Sequence, residues 1–141
     1  MPQRKPKSFV EYAIKLKQKK MLESALRQEA SANESVKMSE TKIYIGLNDG
    51  ETREQMFKTE TYLHVLQYVC KNYHVGFSVD VERGGYFHND GEFIEENSLV
   101  LVLLDADPDT VQNIAKDLCT FFNQESVLIT QGHVDGYFIY S

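Results

Sequence analysis

The chain has 141 residues, 42% apolar and 26% charged, with a net charge of −6. That length fits one domain, or one small domain with an appendage, and the composition excludes disorder over the whole length. No run of about 18 uncharged apolar residues is present, no apolar segment follows the basic N-terminus as a secretory signal requires, and two cysteines, Cys70 and Cys119, exclude a disulfide scaffold. A reducing, cytoplasmic setting is expected on that cysteine usage.

The net charge is split. Residues 1–40 carry nine Lys/Arg and five Asp/Glu, a balance of +4, whereas residues 41–141 carry six and sixteen, a balance of −10. The expected domains follow this division: a basic helix and linker over 1–40, and a compact acidic domain over 41–141. A basic arm suits an acidic partner. An acidic body repels nucleic acid.

Residues 1–7, with two prolines and three basic side chains, read as a frayed start. Ser8 and Glu11 form a capping box ahead of a helix over Phe9 to Gln28. Val10, Ile14, Met21 and Ala25 make a thin apolar stripe on it, which needs a surface to pack on. Ala30 to Glu40 is small and polar and reads as a linker. Lys42 to Leu47 is β-rich and reads as a buried strand, followed by the turn Asn48-Asp49-Gly50. Thr52 and Gln55 form a second capping box, which predicts a helix over Arg53 to Tyr73 with Leu63, Leu66, Cys70 and Tyr73 facing the core.

Val75 to Glu82 alternates apolar and polar residues as a half-buried strand does. Gly84-Gly85 is expected to break or bulge it, and Asn89-Asp90-Gly91 to turn a hairpin into Phe93-Ile94. Leu99 to Leu104 is apolar throughout, the signature of a central strand. Asp107-Pro108 supplies an N-cap and a proline at the first helical position, opening a helix to Phe122 with Val111, Ile114, Ala115, Leu118 and Phe122 inward. A strand over Ser126 to Thr130 follows, then a turn flanked by Gly132 and Gly136 and a short last strand, Tyr137 to Tyr140. The order β-α-β-β-α-β predicts an α+β, ferredoxin-like domain, with two helices on one face of a four-stranded antiparallel sheet and an N-terminal amphipathic helix in front.

No catalytic constellation is evident. Asp105 to Asp109 resembles a calcium loop, but Thr110 and Lys116 stand where the sixth-position Gly and twelfth-position Glu are needed, so these acids read as a helix start. His64, His74, His88 and His133 form no metal-spaced pair, and no metal or cofactor is expected. Gly46 to Gly50 lacks the glycine and Lys-Ser/Thr pattern of a phosphate loop and reads as a plain turn. Both cysteines have apolar neighbours and read as structural thiols. The strand aromatics, Tyr86, Phe87 and Phe93 among them, lack the Lys/Arg-rich strand that RNA stacking needs and point to a protein or dimer interface.

Three segments, Ile43 to Asp49, Leu99 to Leu104 before Asp107, and Phe122 to Leu128, resemble small bacterial proteins of phages, plasmids and conjugative elements, and a wider bacterial domain family of unknown function. The resemblance covers about 100 residues, residues 42–140, and implies a ferredoxin-like domain with no catalytic residues to carry over. It also implies that inhibitors of host nucleases, of the anti-CRISPR kind, are a natural class to consider.

The expected function is therefore non-enzymatic binding, with a homodimer expected and no membrane partner. Asp90, Glu92, Glu95, Glu96, Asp105 and Asp107 would meet a basic surface of a host protein, such as a nuclease. One alternative is a small-ligand sensor or enzyme with a pocket near His88, Asp90 and His133. Another is a nucleic-acid binder acting through Lys15, Lys17, Lys19 and Lys20 of the basic helix.

Overall fold

The computed structural model describes residues 5, 8–31 and 35–140. The chain falls into two compact units, Met38–Val134 and a second made of Met1–Lys37 with Asp135–Ser141. The expected frayed start, apart from Lys5, and residues 32–34 of the expected linker lie outside the described residues.

The larger unit is built on strands β1 (Val36–Gly46), β2 (Ser78–Phe87), β3 (Phe93–Leu104) and β4 (Leu128–Gly136). They form one sheet in the order β2-β3-β1-β4, so the apolar Leu99 to Leu104 stretch lies in one of the two interior strands, as its composition predicts. Both neighbours of β3 run antiparallel to it, with Ile43 opposite Leu101 on one side and Val79 opposite Leu101 on the other. Because strand side chains alternate between faces, Ile43, Ile45, Leu99, Leu101 and Leu103 share one face. Helices α2 (Thr59–Asn72) and α3 (Pro108–Phe121) close it; we number the N-terminal helix α1 (Phe9–Ser31). Leu66, Val69 and Cys70 of α2 and Val111, Ile114, Ala115 and Leu118 of α3 complete the core with Phe122. The fold is the ferredoxin-like α+β arrangement that the element order predicts.

Local chemistry explains the elements. Asp107 accepts a hydrogen bond from the Thr110 N–H, and Pro108 takes the first helical turn, where its missing N–H costs nothing. The Tyr73 hydroxyl donates to Asp117 Oδ2 at 2.7 Å, tying the end of α2 to α3. That carboxylate acceptor pushes the phenol's pKa up. Cys70 is fully buried, and burial raises its thiol to about 11, the behaviour of an inert core residue.

Four expectations are corrected. Val36 to Glu40 is strand rather than linker, because β1 continues its pairing to Leu104 and Ser39 exchanges hydrogen bonds with Asp105. Arg53 to Lys58 is loop, and α2 starts at Thr59. The reason is Asp49, whose side chain takes the N–H groups of Glu51 and Thr52, while Gln55 donates to Phe57 O and Thr59 rather than capping Thr52. β2 runs unbroken through Gly84 and Gly85, where the Phe93 ring lies over Gly85 and a Cβ would stand 2.4 Å from it. β4 passes through Gly132 to Gly136, and Tyr137 to Tyr140 is not a strand.

The smaller unit is described by itself. The Ser8 hydroxyl accepts the Glu11 N–H, as the capping box predicts, and Glu11 pairs with Lys15 at 3.1 Å. Tyr140 packs here: its carbonyl accepts from Ser24, and Arg27 lies over its ring at 4.9 Å. Val10, Ile14 and Met21 of the expected stripe are exposed. No helix among the described residues is long and apolar enough to cross a membrane.

Candidate functional site

Three chain segments meet at one end of the sheet. They are the loop after β1, the β2–β3 hairpin and the loop between α3 and β4. Together they enclose a cleft of about 410 Å³. Its floor is built by backbone–side-chain exchange. Gly50 N donates to Asn123 O at 2.8 Å, Asn123 Nδ2 donates to Asp49 Oδ2 at 2.9 Å, and Gln124 Nε2 donates to Asn48 O at 2.6 Å. Arg53 and Asn123 both adopt positive φ, at 63° and 48°, which turns the two loops toward each other. A Cβ on Gly50 would stand 2.9 Å from Asn123 O, so this close approach needs glycine. The segments that carry the sequence resemblance, Ile43 to Asp49 and Phe122 to Leu128, are thus joined here.

Asp49 is the fixed charge of the floor. The Asn123 amide, then the Thr52 and Glu51 N–H groups, hold its carboxyl below the ordinary range. A carboxylate satisfied by several donors prefers its ionised form. It therefore acts as a structural anion that knots the loop.

Glu96 is the opposite case. It projects from β3 on the sheet face away from the helices, half-buried, between glycines on both neighbouring strands. Gly84 is its register partner on β2, and Gly46 lies diagonally on β1. The carboxylate leans over Gly46 and accepts the Asn48 N–H at 3.2 Å. Burial pushes its pKa up, and the Asn48 hydrogen bond only partly offsets that. A half-buried carboxyl in a cleft, its pKa raised by burial, is a candidate partner for a cation or a proton.

The remaining walls are mixed. Tyr86, on the same sheet face as Glu96, supplies aromatic surface, Arg53 a cation, and Glu125 and Ser126 polar groups. His88 lines the cleft beside the hairpin turn. Its buried Nδ1 has no hydrogen-bond partner and lies 3.6 Å from Asp90 Oδ1.

The residues singled out in the sequence are scattered by the fold. Asp90 closes the hairpin turn by accepting the Glu92 N–H, and Glu95 pairs with Arg83 at 3.0 Å. Asp105 and Asp107 lie at the far end of β3, roughly 30 Å away at about 3.4 Å per residue. Asp105 binds Ser39 N and Asp107 caps α3. These six acids thus do not form one patch, and of them only Glu96 lines the cleft. His133 is on β4, the edge opposite β2, and does not line the cleft that His88 lines. Lys15, Lys17, Lys19 and Lys20 lie on α1, in the other unit. No group of three metal-binding side chains gathers among the described residues.

Sequence reasoning missed Gly46, Asn48, Gly50, Arg53, Asn123 and Gln124 as site residues. Asn48-Asp49-Gly50 read as a plain turn, since nothing in the local text shows that Asn123-Gln124 will meet it. The only available signal was that both segments carried the resemblance.

Comparisons with known proteins agree with the fold. Among curated proteins, no relative matches the sequence. Solved structures do. A phage SAM lyase in the apo state is similar at a TM-score of 0.55 and 23% identity, over 70% of this chain and 84% of that one. A phage SAM lyase in complex with S-methyl-5'-thioadenosine is similar at 0.53 and 20%, over 70% and 90%. At such identities the likeness is one of fold. Residues 40–138 match the model of the family described as "Protein of unknown function (DUF3574)", and the chain belongs to that family.

Proposed function

We propose that this protein binds a small cationic organic ligand bearing an aromatic ring, with Glu96 as the counter-charge and Tyr86 as the wall for the ring. Sulfonium nucleosides of the S-adenosylmethionine type are the ligand class we favour. One observation carries the reading. Glu96 is held half-buried over Gly46 in a cleft that also contains Asp49 and Glu125 and only one cation, Arg53, among its lining residues. Such a cleft repels a phosphate chain and attracts a positive centre. Aromatic faces favour both a stacked base and a cation. The phage SAM lyase whose fold this chain shares, bound to S-methyl-5'-thioadenosine, lends the ligand class its plausibility.

The rival reading, an inhibitor binding a basic host protein through its acidic surface, has weaker support. Asp90, Glu92 and Glu95 lie at one end of the sheet and Asp105 and Asp107 at the other. Two cysteines without a disulfide favour a reducing compartment for either reading.

Titration calorimetry with three ligands tests the proposal. S-adenosylmethionine and S-adenosylhomocysteine differ by one methyl group and one positive charge, and ATP supplies the anionic control. The sulfonium should bind at least roughly tenfold more tightly than the thioether, a difference of about 1.4 kcal/mol. ATP should not bind. Glu96→Gln should remove the preference for the sulfonium. Equal binding of the thioether, preferential binding of ATP, or an unchanged Glu96→Gln variant would overturn it. Chromatography of the same incubation reports any breakdown of the ligand.

A further inference from the structure

We propose that two copies of this chain assemble by placing the β2–β3 hairpin tip of one in the groove on α1 of the other. This inference does not depend on the ligand reading. The groove has a volume of about 650 Å³ and is lined by Phe9, Tyr12, Leu16, Met21 and Tyr140, with Lys17 and Lys20 at its rim. It is apolar, yet Phe9 and Met21 are 81% and 61% exposed, so much of its surface still faces water. The hairpin has the complementary chemistry. Phe87 and Phe93 stack at 5.2 Å, remain 75% and 53% exposed, and project beyond the end of β1. The turn that joins them carries Asp90 and Glu92. An aromatic knob with an acidic tip matches an apolar groove with a basic rim.

Charge and area both point to a second copy as the occupant. α1 is the basic element of a chain whose residues 41–141 carry −10, so the best electrostatic match to the groove is in the same sequence. An aromatic side chain offers about 150–250 Å². In a two-fold arrangement each copy gives one hairpin and one groove. Four partly exposed phenylalanines and the matching groove surface then hide on the order of 1,000 Å², the lower bound of a specific interface.

Sedimentation of the full-length protein at micromolar concentration, with a charge exchange, tests the assembly. Wild type should form a dimer that weakens as salt rises. Lys17→Glu with Lys20→Glu, and separately Glu92→Lys, should each weaken association by at least roughly tenfold. All three positions are on the surface, and an unchanged thermal melt verifies the fold of each variant. Mixing the two reversed variants should restore a dimer through one repaired contact. A monomeric wild type overturns the proposal, including one whose α1 instead binds anionic vesicles of phosphatidylserine and phosphatidylcholine. A dimer insensitive to both reversals, or variants that fail to complement, overturns it equally.

Discussion

The Glu96 carboxylate lies over the α-carbon of Gly46, where an added Cβ would stand 2.6 Å from both of its oxygens. Gly46 has no left-handed backbone requirement, so its role is space. The group that would clash is the end of a flexible side chain, which can swing away. Gly46→Ala should therefore cost only the Asn48–Glu96 hydrogen bond, about 1 kcal/mol of stability. Ligand binding should fall as well, by roughly tenfold or more, because the counter-charge is displaced. Thermal melts and calorimetry on one variant separate the two effects.

Glu96 also sets a pH dependence with a definite sign. Its native pKa is raised, so the folded state holds the proton more tightly than the unfolded chain does. The stabilisation is fully present below the unfolded value, 4.5 in an ordinary glutamate, and is lost as pH rises through the native value. Glu96→Gln should remove that loss, so the variant should gain on wild type as pH climbs through this window. Denaturant midpoints at a series of pH values give the comparison, and a gap that stays constant contradicts the assignment.

Asp49 has the reverse sign. Its pKa is lowered, first by Asn123, so the stability it adds is present above the unfolded carboxyl value of 3.8 and lost as pH falls through the native one. Asn123→Gly keeps a residue that tolerates positive φ while deleting the amide. The Asp49 carboxyl should then titrate higher, which NMR of that side chain can follow. An unmoved titration would mean that the loop N–H groups alone fix it.

Leu101 is the residue on which the sheet is most easily tested. It is fully buried on the helix-covered face, with Ile43 and Val79 as its neighbours across the two strand pairs. Leu101→Ala should cost about 2–5 kcal/mol, the range for a leucine deleted from a packed core. Leu104 ends the same strand, is 52% exposed, and should tolerate alanine with little loss. Chemical denaturation of the two variants tests the contrast.

Periodicity made the core legible. Val111, Ile114, Ala115, Leu118 and Phe122 read as inward-facing, and all five are buried. The apolar run Leu99 to Leu104 read as an interior strand, and it is one. What local pattern could not express was competition for the same N–H groups. Thr52-x-x-Gln55 has the text of a capping box, but Asp49 reaches the Thr52 N–H first, and Gln55 turns to Phe57, Thr59 and Asn97. The cleft was illegible for a related reason. Its floor depends on Asn123 and Gln124 meeting Asn48 and Asp49 across more than 70 residues of chain. Glu96 read as one acid in a surface patch because nothing in its neighbours shows that glycines flank it on both adjoining strands.

Binding of a cationic nucleoside at the Glu96 cleft is tested most directly by NMR of the isotopically labelled full-length protein titrated with S-adenosylmethionine. Saturable shifts are expected in the amide signals of Asn48, Gly50, Phe87 and Glu96, and their loss in Glu96→Gln. Amide signals that do not respond, or shifts confined to residues of α1, would contradict it.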